Sequence, residues 1–364
     1  MKYFCMPADF KTETLDAYAE INRTHDDARI AETYGNISVD NQFGSGRTTQ
    51  HLPPIDLSQL KAYVAHSAKL NIDFNYTINT PYMNNMEFTK EGVAEYRRFL
   101  TELYDAGIRS LTLSLPGLIE IAAEMEPGFA IRASVLCNIN NANKALEMKR
   151  RGVERIVVDE SITRDFKTLK SIVDVFGDKV EIIINSFCQQ DCSYRIFHYN
   201  QIAGDSICVA NGMGSDFYTH RCALRTHKDP STLMKAAWIR PEDLKYYSDI
   251  GIEYFKIQGR TTVVTGDPLR ALQSYIDESY DGNLFELLFL FSPVNPLKIK
   301  LDNQKLDGFL KPFVEQDHFC TKNCAEHCYC DRFAKKALAG TGAEEVLAAG
   351  AQFLTQNDPY KRIQ

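Results

Sequence analysis

The chain has 364 residues, of which 44% are hydrophobic and 24% charged, and its formal net charge at pH 7 is −7. This composition predicts a folded protein with a large core, because disordered chains are less hydrophobic. The acidic balance argues against a broad nucleic-acid-binding surface. The most apolar run, residues 284–291, is too short for a membrane span.

The pattern of apolar residues predicts strands that alternate with helices. The predicted strands are residues 3–7, 32–37, 71–79, 110–115, 130–136, 155–158, 180–185, 236–239 and 254–257. The predicted helices are residues 12–22, 56–70, 89–106, 116–125, 140–151, 163–175, 241–250 and 268–279. Such alternation produces βαβ units and a parallel sheet, and about eight units are typical of a TIM-like barrel. The alternative is an open doubly wound sheet, but no Gly-x-Gly-x-x-Gly follows a predicted strand.

The expected fold is therefore an α/β protein, a TIM-like parallel β/α barrel with a cysteine-rich C-terminal appendage. We place the barrel at residues 1–292, with a long cysteine loop at 186–235, and the appendage at 293–364. In such barrels the chemistry lies beyond the carboxyl ends of the strands. The residues expected near that rim are Asn79, Pro116, Ser134, Glu160, Cys188, Arg240 and Arg260.

Ten cysteines are the main chemical signal in the chain. The first ten residues contain no long apolar segment and no small-residue cleavage site. We therefore expect no signal peptide and a cytoplasmic location, where disulfides are rare. Clustered cysteines are then better explained by metal binding or catalysis.

The cysteine loop follows a buried apolar run, residues 180–184, and contains Cys188 and Cys192, with Cys222 further along. Thiolates suit soft metal centres, and loops commonly supply them to iron–sulfur clusters. An iron–sulfur cluster is our main interpretation. The alternative is a set of buried cysteines that act as small hydrophobic residues. Three further cysteines resemble structural ones, although the last two could complete the set: Cys5, Cys137 and Cys208.

A second group places four cysteines within eleven residues, at Cys320, Cys324, Cys328 and Cys330. Three interpretations remain open: a second cluster, a zinc site, or ligands that the tail donates to the first centre. His318 and His327 lie among these cysteines, so a mixed Cys/His zinc site is a further candidate.

Several cationic side chains are candidates to hold an anionic substrate, because guanidinium groups bind carboxylates and phosphates bidentately. Lys256 and Arg260 flank a strand end, and Gly259 permits close backbone approach there. The candidate catalytic residues are Arg240, Lys256, Arg260 and His198, and Arg47 is a candidate cofactor-binding residue. The alternative for each arginine is an ordinary salt bridge, and histidines are often structural. Three hydrolase or nucleotide motifs are absent from the sequence: His-Glu-x-x-His, Gly-x-Ser-x-Gly and Gly-x-x-x-x-Gly-Lys-Ser/Thr.

Several segments taken together resemble the collagenase-like peptidases, also called unassigned-peptidase family thirty-two. The resemblance extends over residues 32–336 and depends on Tyr34-Gly35, 45–47, 74–79, 113–116, 185–195, 239–244, 255–260 and the tail cysteines with Tyr329-Cys330. The family name records a peptidase activity. Its better-understood members are iron–sulfur proteins that hydroxylate ubiquinone precursors or RNA pyrimidines without dioxygen, with prephenate implicated as the oxygen source.

This resemblance implies a TIM-like barrel with a 4Fe–4S cluster, one or two per chain, and Cys188, Cys192 and Cys222 as ligands. The cysteine spacing differs from that of the hydroxylase members, and the fourth ligand and the substrate do not transfer. The expected function is oxygen-independent hydroxylation, or a related redox modification, of a small or carrier-bound substrate. The alternatives are a peptidase and a non-catalytic, cluster-bearing subunit with a paralogous partner. Nucleic acid is disfavoured as a partner by the net charge.

Overall fold

A computed structural model describes residues 1–48, 52–207, 217–294 and 298–361. Its strands are β1 (Lys2–Pro7), β2 (Ala28–Gly35), β3 (Asp73–Ile78), β4 (Ser110–Leu113), β5 (Ala130–Ala133), β6 (Arg155–Val157), β7 (Val180–Ile183), β8 (Asn185–Gln189), β9 (Ala236–Trp238) and β10 (Tyr254–Lys256). Eight of them close into a parallel barrel in the order β1-β2-β3-β4-β5-β6-β7-β10. The predicted TIM-like barrel is therefore confirmed.

The helices of the first half are α1 (Thr12–Thr24), α2 (Leu57–Lys69), α3 (Lys90–Asp105), α4 (Pro116–Ala123), α5 (Ala142–Arg150) and α6 (Phe166–Phe176). Those of the second half are α7 (Arg195–Ile207), α8 (Phe217–Lys228), α9 (Ser231–Met234), α10 (Leu244–Asp249), α11 (Pro268–Ile276), α12 (Leu284–Leu288), α13 (Lys311–Glu315), α14 (Tyr329–Leu338) and α15 (Ala343–Gln356). None of the described helices is long and apolar enough to cross a membrane.

Local sequence signals explain where several helices begin and end. Asp56 caps α2 in a capping box, in which its carboxylate accepts from the Gln59 amide at 2.8 Å. After α3 the chain turns at Gly107, whose φ of 97° is unfavourable for other residues. α2 therefore begins, and α3 ends, within a residue of where the sequence predicts.

One predicted strand lies outside the barrel. Residues 236–238 form β9, which pairs antiparallel with β8, and the matched residues are Asn185 with Trp238 and Gln189 with Ala236. The Ile239 amide also donates to the Ile184 carbonyl at 2.8 Å, so the β8–β9 pair begins directly after β7. We call this antiparallel pair the hairpin, although residues 190–235 separate its two strands. Cys188 therefore lies on a paired strand, and much of the predicted cysteine loop is helical. The second half of this predicted loop packs on the C-terminal segment, where α8 contacts α15 and α9 contacts α14. The boundary between barrel and appendage at residue 292 stays a prediction.

The interior of the barrel contains a network of buried charges. Glu32 on β2 pairs with Arg132 on β5, which is not a neighbouring strand, so this contact crosses the barrel. Arg155 lies 3.4 Å from Glu32 and 3.3 Å from Glu181. Lys256 Nζ is 3.2 Å from Glu181 Oε1, and the Cys5 thiol donates to Glu181 at 3.2 Å. The network therefore continues from the barrel interior to Lys256.

Acid should weaken the barrel through Glu181. Burial acts to raise the pKa of Glu181, but Lys256, Arg155 and Arg132 outweigh it and lower the pKa to about 2. A carboxyl with a lowered pKa stabilises the fold above its ordinary value of about 4.5. That stabilisation, roughly 2–4 kcal/mol, should be lost as the pH falls from 4.5 towards 2. Urea unfolding at several pH values measures it.

The substitution Glu181→Gln should lower the free energy of unfolding at pH 7 and flatten its fall below pH 4.5. Glu344→Gln, an exposed position on α15, is the matched control and should leave both unchanged. An unchanged acid slope in Glu181→Gln would contradict this account.

Candidate active site at the barrel mouth

A small cavity of about 50 Å³ lies at the carboxyl ends of the barrel strands. This volume has room for a carboxylate-sized group. Three cationic side chains line it, Arg47, Lys256 and Arg260, together with Tyr34 and Asn79 among others. The structure thus brings three of the four predicted substrate-holding cations to one place.

Arg260 is the most deeply buried of these cations, with 6% of its surface exposed. Its guanidinium donates to Asn36 Oδ1 at 2.5 Å, Thr77 Oγ1 at 2.9 Å and Asn79 Oδ1 at 3.3 Å. Burial, and next the positive charge of Arg47, lower the pKa of Arg260 to about 9. No described carboxylate lies within ion-pair distance of it, so an anion in the cavity would relieve this cost.

Gly259 allows the chain to present Arg260 in this way. Its φ is 144°, and a Cβ there would lie 2.6 Å from Thr262 Oγ1 and 2.8 Å from Leu290 Cδ1. Any side chain would therefore clash, in addition to the unfavourable backbone conformation.

Lys256 and Arg47 approach the cavity from different elements. Lys256 is at the end of β10, and its Nζ lies 3.9 Å from the centroid of the Tyr34 ring. Arg47 belongs to the loop after β2, where Asn79 fixes the backbone by accepting from the Gly46 amide at 3.0 Å. Within the described chain, Arg47 has no carboxylate partner in ion-pair range. The cavity is therefore cationic.

The Cys188 thiol lies beside this cationic group. Burial, and next the charge of Glu160, raise the pKa of Cys188 to about 12, although Arg195 and Arg47 act to lower it. Cys222 is also close enough for its charge to raise this pKa. The charges of another predicted ligand, Cys222, and of two guanidinium groups therefore act on the Cys188 thiol.

A second group of charges fixes the hairpin that carries Cys188. Arg195 lies 3.0 Å from Asp159 Oδ1 and 3.6 Å from Glu160 Oε2, and it donates to the Gln190 carbonyl at 2.8 Å. Ser186 Oγ also donates to the buried Glu160 carboxylate. Arg195 therefore connects the tip of the hairpin to the turn after β6.

Cys192 is half-buried and precedes α7, where its carbonyl accepts from the Arg195 amide. Among the described residues, one group of three ligand side chains lies within 4.8 Å, and it is Cys5, Glu32 and Glu181 in the barrel interior. Cys188, Cys192 and Cys222 are not packed that closely. Cys208 lies outside the described residues. The loop nevertheless offers thiol donors of the class that iron–sulfur clusters take, and the charges of Cys222, Arg195 and Arg47 act on the Cys188 thiol.

The tail cysteines lie in different surroundings. Cys320, Cys324 and Cys328 are exposed, and Cys330 is half-buried. The charges of Arg164 and Lys235, and next the thiols of Cys324 and Cys320, act on the Cys330 thiol. The tail loop also contacts the cysteine loop, because Lys322 Nζ lies 3.0 Å from Asp191 Oδ1, beside Cys192.

Two predicted residues lie away from the cavity. Arg240 donates to Asp243 at 3.1 Å and to Asp307 at 2.7 Å, so its guanidinium is already paired with carboxylates. The His198 ring stacks on Tyr199 at 6.2 Å and contacts Tyr218 at 5.7 Å. We therefore leave both residues out of the site.

Sequence reasoning missed several polar groups of the mouth, among them Tyr34, Thr77, Tyr199 and Gln258. A signal for Thr77 was present, because the polar residues 75, 77 and 79 recur at the period of a strand. One face of β3 therefore had to be polar. Tyr199 lies on a helix within the predicted loop, where no such period applies.

Comparisons with known proteins agree on one family. The profile of Peptidase family U32 matches residues 55–286. "Uncharacterized protease MJ1657" of Methanocaldococcus jannaschii is 30% identical over 295 residues, 81% of this chain and 85% of that protein. The solved structure of the U32 peptidase Mk0906 has a TM-score of 0.50 at 14% identity, covering 70% of this chain and 92% of that one. The structural likeness supports the barrel fold alone.

Proposed function

Because this chain belongs to peptidase family U32, we propose that it is an iron–sulfur enzyme that acts at the barrel mouth. The reaction is oxygen-independent hydroxylation, or a related redox modification, of a small or carrier-bound anionic substrate. The observation that carries the proposal is the position of Cys188. Its thiol shares charged neighbours with a cavity lined by Arg47, Lys256 and Arg260.

The cations have a binding and orienting role in this proposal. Arg260 and Arg47 would receive a carboxylate or phosphate, since their guanidinium groups have no described carboxylate partner. Lys256 would add a point charge from the opposite side, held in place by Glu181 at 3.2 Å. Arg240 and His198 have no part in it.

Cys188, Cys192 and Cys222 are the residues that would hold the cluster. When bound, the cluster would supply the electron transfer that the redox step requires. Arg195 is a positioning residue, because it fixes the hairpin of Cys188 to Asp159 and the Gln190 carbonyl. The buried Ser186–Glu160 contact holds the other side of the same hairpin.

The names of the relatives favour a peptidase as the second candidate. A cysteine peptidase needs a thiol with a lowered pKa and an adjacent base, whereas burial raises the pKa of Cys188 to about 12. The histidine nearest in sequence, His198, contacts Tyr199, Tyr218 and Thr219. These contacts give the peptidase less support than the cationic mouth gives the redox enzyme.

Purification without oxygen tests the proposal. The full-length chain should carry about four iron and four sulfide per cluster and show the broad visible absorption of an iron–sulfur protein. A chain purified without oxygen that holds no iron would contradict the proposal. Peptide cleavage by the metal-free protein in air would support the peptidase instead. An iron-loaded chain that modifies substrate only with a paralogous partner present would point to the non-catalytic subunit.

A further inference from the structure

The loop of residues 320–328 exposes three cysteines, and Cys330 follows at the start of α14. Exposed free thiols are uncommon on stable protein surfaces because they are readily oxidised. Three exposed thiols and a half-buried fourth within eleven residues require an explanation of their own.

Aromatic packing brings the two ends of this loop together. The Phe319 ring lies 5.0 Å from the Tyr329 ring and 4.9 Å from the His327 ring. Tyr329 in turn donates its hydroxyl to the Phe309 carbonyl at 2.9 Å. Phe319 precedes Cys320 and Tyr329 precedes Cys330, so the packing holds the first and last thiols of the set near each other. The loop is therefore closed by contacts that do not involve the cysteines.

Beneath the loop lies a buried cation. Arg164 has 6% of its surface exposed, and its guanidinium carbon lies 4.8 Å from the centroids of both the Trp238 and the Phe309 rings. Its guanidinium donates to the carbonyls of Met234 and Ala236. In the described part of the chain, no carboxylate lies within ion-pair distance of it. A buried cation of this kind requires a negative charge nearby.

The tail thiols are among the groups placed to supply that charge. Cys330, Asp243 and Cys320 are among the groups whose charges act on Arg164, and Arg164 and Cys320 line the same small cavity of about 60 Å³. Lys322, between Cys320 and Cys324, donates to Asp191 in the cysteine loop at 3.0 Å and to the Ser161 carbonyl after β6 at 3.1 Å, and these contacts fix the tail loop.

We propose that Cys320, Cys324, Cys328 and Cys330 hold a metal centre of their own, separate from the barrel mouth. The ligand class is a thiolate-bound metal, either zinc or an iron–sulfur cluster. Among the described residues no three tail ligand atoms lie within 4.8 Å of one another, which favours the cluster, because its ligand sulfurs lie further apart than those of a single zinc ion. Four thiolates around either metal form an anionic group, and Arg164 is its buried counter-ion. This inference does not rest on the proposed function, since it concerns different cysteines and different charged neighbours.

Metal analysis of the full-length chain, purified without oxygen, tests the inference. The double variant Cys320→Ala/Cys324→Ala should lose about one zinc, or about four iron and four sulfide, and keep whatever metal Cys188 holds. Cys188→Ala should lose the metal at the barrel mouth and keep the metal at the tail cysteines. Zinc and iron contents distinguish the two metals. The matched control is Asn323→Ala, an exposed neighbour of Cys324 on the same loop, and it should lose no metal.

A second measurement needs no variant. In the unaltered chain, the three exposed tail thiols should resist alkylation until a chelator removes the metal, and mass spectrometry identifies the protected cysteines. Immediate alkylation of all of them, tail disulfides, or an unchanged metal content in the double variant would overturn the inference. Loss of metal from the double variant, with no iron bound by Cys188, would sustain this inference and contradict the proposed function.

Discussion

Replacing Arg260 with glutamine should weaken the binding of inorganic phosphate to the anaerobically purified chain by roughly 30-fold or more. Phosphate is the probe because guanidinium groups bind phosphates and carboxylates alike, and the cavity has room for an anionic group of about that size. The large effect is expected because Arg260 is buried, has no described carboxylate partner and lines the mouth cavity. Isothermal titration calorimetry measures the change.

Two further variants control this result. Arg260→Lys keeps the charge but not the planar fork, and we expect intermediate binding. Arg97→Gln removes an arginine on α3 that pairs with Glu124 at 3.0 Å on the surface, and it should bind as the unaltered chain does. Because Arg260 also bonds Asn36 and Thr77, circular dichroism must show that each variant is folded. Phosphate binding to Arg260→Gln as tight as to the unaltered chain would exclude Arg260 from the anion site.

Replacing either Cys188 or Cys222 with alanine should remove the same iron, about four atoms per chain, and abolish turnover. The two residues lie far apart in sequence, but Cys222 is among the groups whose charge acts on the Cys188 thiol. A single shared cluster therefore predicts the same loss from either variant, and no further loss from the double variant. Iron and sulfide analysis and the visible spectrum measure it.

Ser193→Ala, an exposed neighbour of Cys192, is the control here and should keep all iron. If Cys188→Ala lost activity and kept its iron, Cys188 would have a role other than ligand. If Cys222→Ala kept its iron while Cys188→Ala lost it, the shared site would be wrong.

The barrel could be predicted from sequence because its strands are short apolar runs separated by helices with clear caps and closing glycines. Residues 236–238 form a strand as predicted, but that strand lies outside the barrel for a physical reason. Their apolar pattern predicts a buried strand, but it carries no information on the partner strand. In the structure β9 pairs with β8, the continuation of β7, so a strand that resembles a barrel member forms a hairpin instead.

The charged interior could not be predicted from a single sequence. Glu181 lies within the apolar run 180–184, and Glu32, Arg132 and Arg155 lie on strands distant in sequence. A polar residue in a predicted strand indicates an exposed face unless its partner is known. The same limit applies at the mouth, where the sequence indicates cations at strand ends but does not show that Arg240 is satisfied by Asp243 and Asp307.

Lys256 belongs to two systems at once, since its ammonium contacts Glu181 below and the Tyr34 ring in the mouth above. An anion that enters the cavity must therefore share this ammonium with the carboxylate that helps hold the strands together. Occupancy of the cavity and resistance of the barrel to unfolding are then thermodynamically linked. A substitution of Glu181 should therefore change anion binding in the cavity, and an anion bound at Lys256 should change the free energy of unfolding of the barrel.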